Sequence, residues 1–217
     1  MKMSDWEVTS TWGDDEELIN VKKDTEVSGL EELEDRKYRK FIESTYQVIK
    51  NVDEIGLPKP NEQIKLITFR SFNQIHFIKY IADREVIEHL NMVVYSINHE
   101  ASKLLNEMIT TRRILKATVL MSNLRNKAHR QKEQITRDMF LDNDNIDLFF
   151  CSSHAKITSM KTSNGNYYSI EGSGNMSYNS RVENYCMDND KGLYEFTTKW
   201  MIDIREFLKD KKELVVT

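Results

Sequence analysis

Hydrophobic and polar positions along the chain follow two rhythms, and the change between them divides the sequence. From Ser28 onward, Leu33, Tyr38, Phe41, Ile42, Thr45, Ile49 and Val52 recur at three- and four-residue steps, the spacing of one face of an amphipathic helix. Ser28, with Glu31 three residues later, reads as the helix start. Gly56, Pro58 and Pro60 mark its end. Residues 1–27 are polar and acidic, with isolated anchors at Trp6, Trp12, Leu18 and Val21. The pattern predicts an N-terminal acidic tail and amphipathic helix over residues 1–60, ahead of a main domain over residues 61–217.

Within that domain, apolar segments of strand length at residues 64–69, 90–97, 114–121 and 147–151 alternate with helix-period stretches at residues 75–81, 99–113 and 129–140. Such alternation predicts the α/β class, here a mixed, mostly parallel sheet covered by helices on both faces. After residue 151 the rhythm changes. Strand-like segments at residues 154–161 and 166–170 flank Ser163-Asn164-Gly165, where Asn-Gly signals a hairpin because both residues tolerate positive φ. A further strand is expected near residues 183–187. A last helix over residues 192–208 carries Leu193, Phe196, Trp200, Ile204 and Phe207 on one face, which should pack on the sheet.

Composition narrows the function classes. A chain of 217 residues with 39% hydrophobic content holds one substantial domain plus an appendage. Its net charge of -4 and pI near 5.8 exclude a surface that binds nucleic acid everywhere, leaving room only for a local basic patch. Cys151 and Cys186 form neither a zinc spacing nor a disulfide framework, so they read as packing residues in a reducing cytoplasm. No secretory h-region and no run of about 18 apolar residues is present, so no membrane partner is expected. Asp142, Asp144 and Asp147 lack the glycine and glutamate of a calcium loop, so neither a metal nor another cofactor is expected.

The chemistry-bearing residues concentrate between His154 and Tyr185. On a strand, His154 and Lys156 would project to one face, setting a nucleophile or acid beside a fixed cation. Gly172-Ser173-Gly174-Asn175 brings a hydroxyl, an amide and small residues that let backbone N–H groups approach an anion. Glu183 supplies a carboxylate able to hold an imidazole N–H. Taken singly these are an ordinary strand pair, a turn and a solvated charge. Together they suit phosphoryl transfer through a covalent intermediate.

In that order, His154-Ala155-Lys156, Gly172-Ser173-Gly174-Asn175 and Glu183 resemble one half-site of the phospholipase D superfamily, in its nuclease-like branch. The resemblance spans residues 62–208. It implies a metal-independent phosphodiesterase, with His154, Lys156, Ser173, Asn175 and Glu183 as catalytic residues. One histidine would attack phosphorus, and a second half-site would supply the acid. Because the His-x-Lys unit occurs once, the resemblance implies a homodimer in which His154 and Lys156 of both subunits share one site. The family's motif aspartate, separated from the lysine by four residues, is replaced by Lys161.

For the substrate, Arg125, Lys127, Arg130 and Lys132, with Arg112, Arg113 and Lys116 shortly before, offer a phosphate-tracking patch if they lie beside His154. Arg125, Lys127 and Arg130 are the candidate substrate-binding residues. Without interleaved aromatics, nucleic acid would be bound independently of sequence. The competing expectation is a catalytically silent scaffold that keeps the fold for binding.

Overall fold

The strand-length apolar runs join into one eight-stranded sheet. The computed structural model describes residues 43–49, 56–69, 73–122, 127–177 and 182–210. Trp6, Trp12 and the Ser28 helix start lie outside the described residues. Along the chain, β1 (Glu43–Ile49) and β2 (Glu62–Phe69) precede α1 (Gln74–Ala82). Then come β3 (Ile87–Val94), α2 (His99–Thr110), β4 (Ala117–Ser122), α3 (Lys127–Leu141) and β5 (Ile146–Cys151). β6 (Ile157–Thr162), β7 (Tyr167–Gly172), β8 (Val182–Asn189) and α4 (Lys191–Asp210) complete the described elements.

The spatial order is β1-β2-β8-β7-β6-β3-β4-β5. β1 with β2, β3 with β4 and β4 with β5 are parallel, while β2–β8, β8–β7, β7–β6 and β6–β3 are antiparallel. The mixed α/β architecture agrees with the sequence. The expected excess of parallel pairing does not hold, because the three strands after residue 151 enter the middle of the sheet as a meander. A second correction concerns the N-terminal side. Residues 43–49, expected as part of a helix, form β1 and pair with β2 at every position from Glu43↔Glu62 to Ile49↔Thr68. Their sequence, ESTYQVI, is rich in β-branched and aromatic residues, and strand pairing overrides the three-to-four spacing.

Alternate residues of the central strands feed two cores. Met92 and Val94, Val119 and Met121, and Leu148 and Phe150 pack with Ile75, Phe77, Ile78 and Ile81 of α1, Leu105 and Met108 of α2, and Phe140 of α3. Val93, Leu120 and Phe149 point the other way, onto Met201 and Leu208 of α4. This period of two, repeated in three adjacent strands, puts helices on both faces. No helix among the described residues is long and apolar enough to cross a membrane.

The β6–β7 hairpin closes by a tighter device than two positive φ angles. Gly165 alone is left-handed, at φ 79°. Its N–H donates to Thr162 O at 3.1 Å, and Thr162 N–H donates to Asn166 O at 3.0 Å. The result is a three-residue loop ending on a glycine bulge.

Between the sheet and α4, His89 accepts or donates through both ring nitrogens, to Tyr194 Oη and Thr118 Oγ1, each at 3.0 Å. Burial holds its imidazole below the usual pKa, and Lys116 acts in the same direction. A depressed histidine favours the neutral folded form. Its stabilisation is complete above the unfolded value of about 6.5 and is lost as pH falls through the folded value. Thermal unfolding near pH 7.5 and near pH 5.5 should show the wild type losing roughly 2–4 °C more than His89→Gln on acidification. Equal losses would show that His89 does not carry this dependence.

Candidate functional site

Strand polarity brings the sequence motif together. β2, β3, β4, β5 and β7 all finish at the end of the sheet where β6 and β8 begin, as their registers require. Ile157, the first residue of β6, pairs with Val93 near the end of β3 and with Glu171 near the end of β7. Consequently the His154-x-Lys156 segment enters the sheet beside the point where Gly172-Ser173-Gly174-Asn175 leaves it. Glu183, in the first turn of pairing of β8 with β2, opposes Thr68. α1, α2 and α3 also begin at this end, with Asn73 and Asn98 as the N-caps of α1 and α2.

The His-Lys pair differs from expectation in one respect. Residues 153–156 have no regular secondary structure, and β6 starts after them. They share a site through loop contacts instead of strand alternation. Ser153 N–H reaches Ser122 Oγ at 3.4 Å, and Ala155 N–H donates to Ser153 Oγ at 3.2 Å. Lys156 Nζ turns back to the carbonyl of His154 at 3.0 Å. Gln74, fully buried at the start of α1, donates from Nε2 to Lys156 O at 3.0 Å and accepts from Thr158 Oγ1 at 2.9 Å.

Sequence reasoning missed two aromatic residues. The Tyr95 ring lies 4.5 Å from the His154 ring, centroid to centroid, at an interplanar angle of 30°. The same ring is 5.6 Å from Lys156 Nζ. Nothing in the local sequence marked Tyr95, because it ends the apolar run of β3 and reads as core. Tyr185, on β8, explains the glycines of the box. A Cβ on Gly174 would stand 1.9 Å from Tyr185 Oη, and a Cβ on Gly172 would stand 2.4 Å from both Asn184 O and Tyr185 Cδ1.

Ser173 and Glu183 are brought into direct contact: Ser173 Oγ donates to Glu183 Oε2. Asn184 N–H in turn donates to Ser173 Oγ at 3.2 Å. Glu183 is 8% exposed, so its carboxylate is held against the box and not in free solvent. No hydrogen bond joins it to His154 among the described residues. Among the described residues, Asn175 Oδ1 is buried without a hydrogen-bond partner, an unmet demand that calls for an explanation. Burial raises the Cys151 thiol above its usual pKa and pushes Cys186 up to about 12, with Asp188 adding to the effect at Cys186. His154, by contrast, is exposed at the strand ends.

The basic residues divide. Arg125 lies outside the described residues. Lys127 and Arg130 occupy the first turn of α3, which begins at the site end of the sheet. Arg112, Arg113 and Lys116 precede β4 and so lie at the opposite end, about 17 Å along the strand. Arg113 is bound there to Asp83 at 2.7 Å and Glu107 at 2.9 Å. This removes them from the expected phosphate-tracking patch. Lys161 is also remote, about 17 Å along β6 from Lys156, and pairs with Glu88 at 2.7 Å.

The two glycines respond differently to a methyl group. Gly172→Ala meets the backbone oxygen of Asn184 as well as the Tyr185 ring and should cost about 1–3 kcal/mol, part of which remains with a smaller side chain at position 185. Gly174→Ala meets the tyrosine hydroxyl first, so Tyr185→Phe should relieve part of its cost in a double-mutant cycle by chemical denaturation. Strict additivity of Gly174→Ala with Tyr185→Phe would refute the contact.

No family model matches the sequence, and no curated protein matches it. Among solved structures, the chain is similar to Nuc from Salmonella typhimurium, a phospholipase D family member, with TM-score 0.49 and 16% identity over 65% of this chain and 93% of that one. Polyphosphate kinase from Porphyromonas gingivalis aligns with TM-score 0.41 and 9% identity, over 56% of this chain and 22% of that one. Yeast tyrosyl-DNA phosphodiesterase aligns with TM-score 0.30 and 14% identity, over 47% of this chain and 25% of that one. The chain thus spans most of the length of Nuc and about a quarter of the length of the other two.

Proposed function

We propose that this chain is a metal-independent phosphodiesterase, a nuclease of the phospholipase D kind, acting through a phosphohistidine on His154. The observation that carries the reading is the meeting of the His154-x-Lys156 segment with the Gly172–Asn175 box at one end of the sheet, imposed by Ile157 pairing with Glu171. In the first step an imidazole nitrogen of His154 attacks phosphorus, and the bond to the leaving oxygen breaks. A second His154, from the partner copy, donates the proton that this oxygen needs. Water then attacks phosphorus while that second histidine takes its proton, and the P–N bond breaks to release a phosphomonoester and free His154.

Lys156 supplies positive charge to the phosphoryl oxygens, and Ser173 and Asn175 supply polar contacts in the box. Glu183 serves by holding Ser173 Oγ. A homodimer completes the site, since the chain carries one His-x-Lys unit. Lys127 and Arg130, at the site end of α3, give nucleic acid a place to track without base readout. Cys151 and Cys186 are free, in keeping with a cytoplasmic setting. Lys161, where the family's motif aspartate would stand, pairs with Glu88 far from His154 and takes no part in this chemistry.

Purified protein should hydrolyse DNA or bis-p-nitrophenyl phosphate in the presence of EDTA, and His154→Ala should lower turnover by at least about a thousandfold. Sedimentation should show a dimer at assay concentration. Absent turnover, or equal turnover by His154→Ala, would leave the scaffold reading. A stable monomer that turns over would defeat the shared site.

A further inference from the structure

An exposed histidine on an irregular loop has no intrinsic orientation. In solvent its ring samples several rotamers, and ordering it costs entropy that a nucleophile must recover before attack. In this chain the carboxylate expected to orient His154 is engaged elsewhere, since Glu183 accepts from Ser173 Oγ. Neither imidazole nitrogen of His154 has a hydrogen bond among the described residues. Among the described residues, the aromatic ring in contact with it is Tyr95, whose face lies against it at 4.5 Å between centroids and a tilt of 30°.

We propose that Tyr95 is a positioning residue for His154, holding the imidazole by its face so that both ring nitrogens stay free at its edge. The catalytic consequence rests on the phosphodiesterase reading above. Stacking suits this task better than a hydrogen bond alone, because a hydrogen bond occupies a nitrogen whereas a face contact occupies none. Attack uses one edge nitrogen. The other remains open for an acceptor when the second copy and substrate are in place.

Tyr95 is itself well anchored. It directly follows Val94, the last residue of β3, and is half-buried. Immediately after it, Ser96 O accepts from Met176 N–H at 3.1 Å, and Asn98 N–H donates to Met176 O at 2.9 Å. Asn98 then caps α2 through Ala101 N–H at 2.8 Å. Met176 follows Asn175 directly, so the segment carrying Tyr95 is bonded to the box on one side and stacked on His154 on the other. Lys156 closes the arrangement, with Nζ 3.0 Å from His154 O and 5.6 Å from the Tyr95 centroid. Tyr95 therefore links the two parts of the motif that are separate in sequence.

The role needs the ring and not the hydroxyl, which separates Tyr95→Phe from Tyr95→Leu and Tyr95→Met. In the full-length protein, the His154 ring C–H resonances are assigned by their disappearance in His154→Gln. Loss of the stacked ring in Tyr95→Leu should move them downfield, out of the ring current, while Tyr95→Phe leaves them near the wild-type positions. On bis-p-nitrophenyl phosphate, Tyr95→Leu should lower kcat roughly tenfold or more, with KM changed by less than about twofold, and Tyr95→Phe should restore it. Circular dichroism establishes that each variant is folded, and Tyr95→Met carries the same readouts should the leucine variant not fold. Unmoved His154 resonances in the leucine or methionine variant would overturn the proposal. So would moved resonances with wild-type kcat. A wild type without turnover on any phosphodiester would instead defeat the phosphodiesterase reading, and the resonances alone would then decide whether Tyr95 holds the ring.

Discussion

The antiparallel pairing of β6 with β3 is the constraint on which the rest depends. It joins a parallel block, β3-β4-β5, to an antiparallel block, β6-β7-β8-β2, through a register running from Ile87↔Thr162 to Val93↔Ile157. Reversing direction at this seam forces the chain leaving β5 to cross the strand ends before β6 can begin. The crossing segment carries His154 and Lys156. Because β7 runs back to the same end, the Gly172–Asn175 box emerges next to it. A site at the carboxyl ends of strands is thus a consequence of topology, in keeping with the general behaviour of open α/β sheets.

Polar groups buried at that end then fix the loop. Gln74 is removed from water, so both halves of its amide must be bonded. They are, to Lys156 O and Thr158 Oγ1, which clamps the start of α1 to the backbone of the His-Lys segment. Leaving such a buried amide unpaired would cost about 1–3 kcal/mol. Opposite it, Tyr185 packs against Phe77 at 5.0 Å between ring centroids and presses on Gly172 and Gly174. The glycines of the box serve the close approach of that ring, whereas Gly165, in the hairpin, uses a left-handed backbone.

The distribution of charge separates chemistry from scaffold. Arg113 with Asp83 and Glu107, and Lys161 with Glu88, sit at the end of the sheet away from His154. Exposed pairs of this sort contribute at most about 1 kcal/mol. Lys156 stands at the other end, beside His154.

The elements from Glu62 onward were legible in the sequence because each is long enough to show its period. The 3.6-residue spacing of α1, α2 and α4 and the apolar runs of β3, β4 and β5 are local properties of burial on one face or two. The His154, Lys156, Ser173, Asn175 and Glu183 set was legible as a motif for the same reason, being close in sequence. Residues 43–49 were misread because their apolar spacing satisfies a helix while their β-branched content suits a strand, and only pairing with β2 decides between them. Tyr95 and Gln74 were invisible because their roles arise from contacts across 59 and 82 residues of chain, Tyr95 to His154 and Gln74 to Lys156. The sequence by itself determined the class of fold, because the periods that define it are local. Tertiary structure alone decided that the Tyr95 ring lies against the His154 ring, that Glu183 accepts from Ser173, and that Arg113 and Lys161 stand apart, because strand direction and register set which distant residues become neighbours.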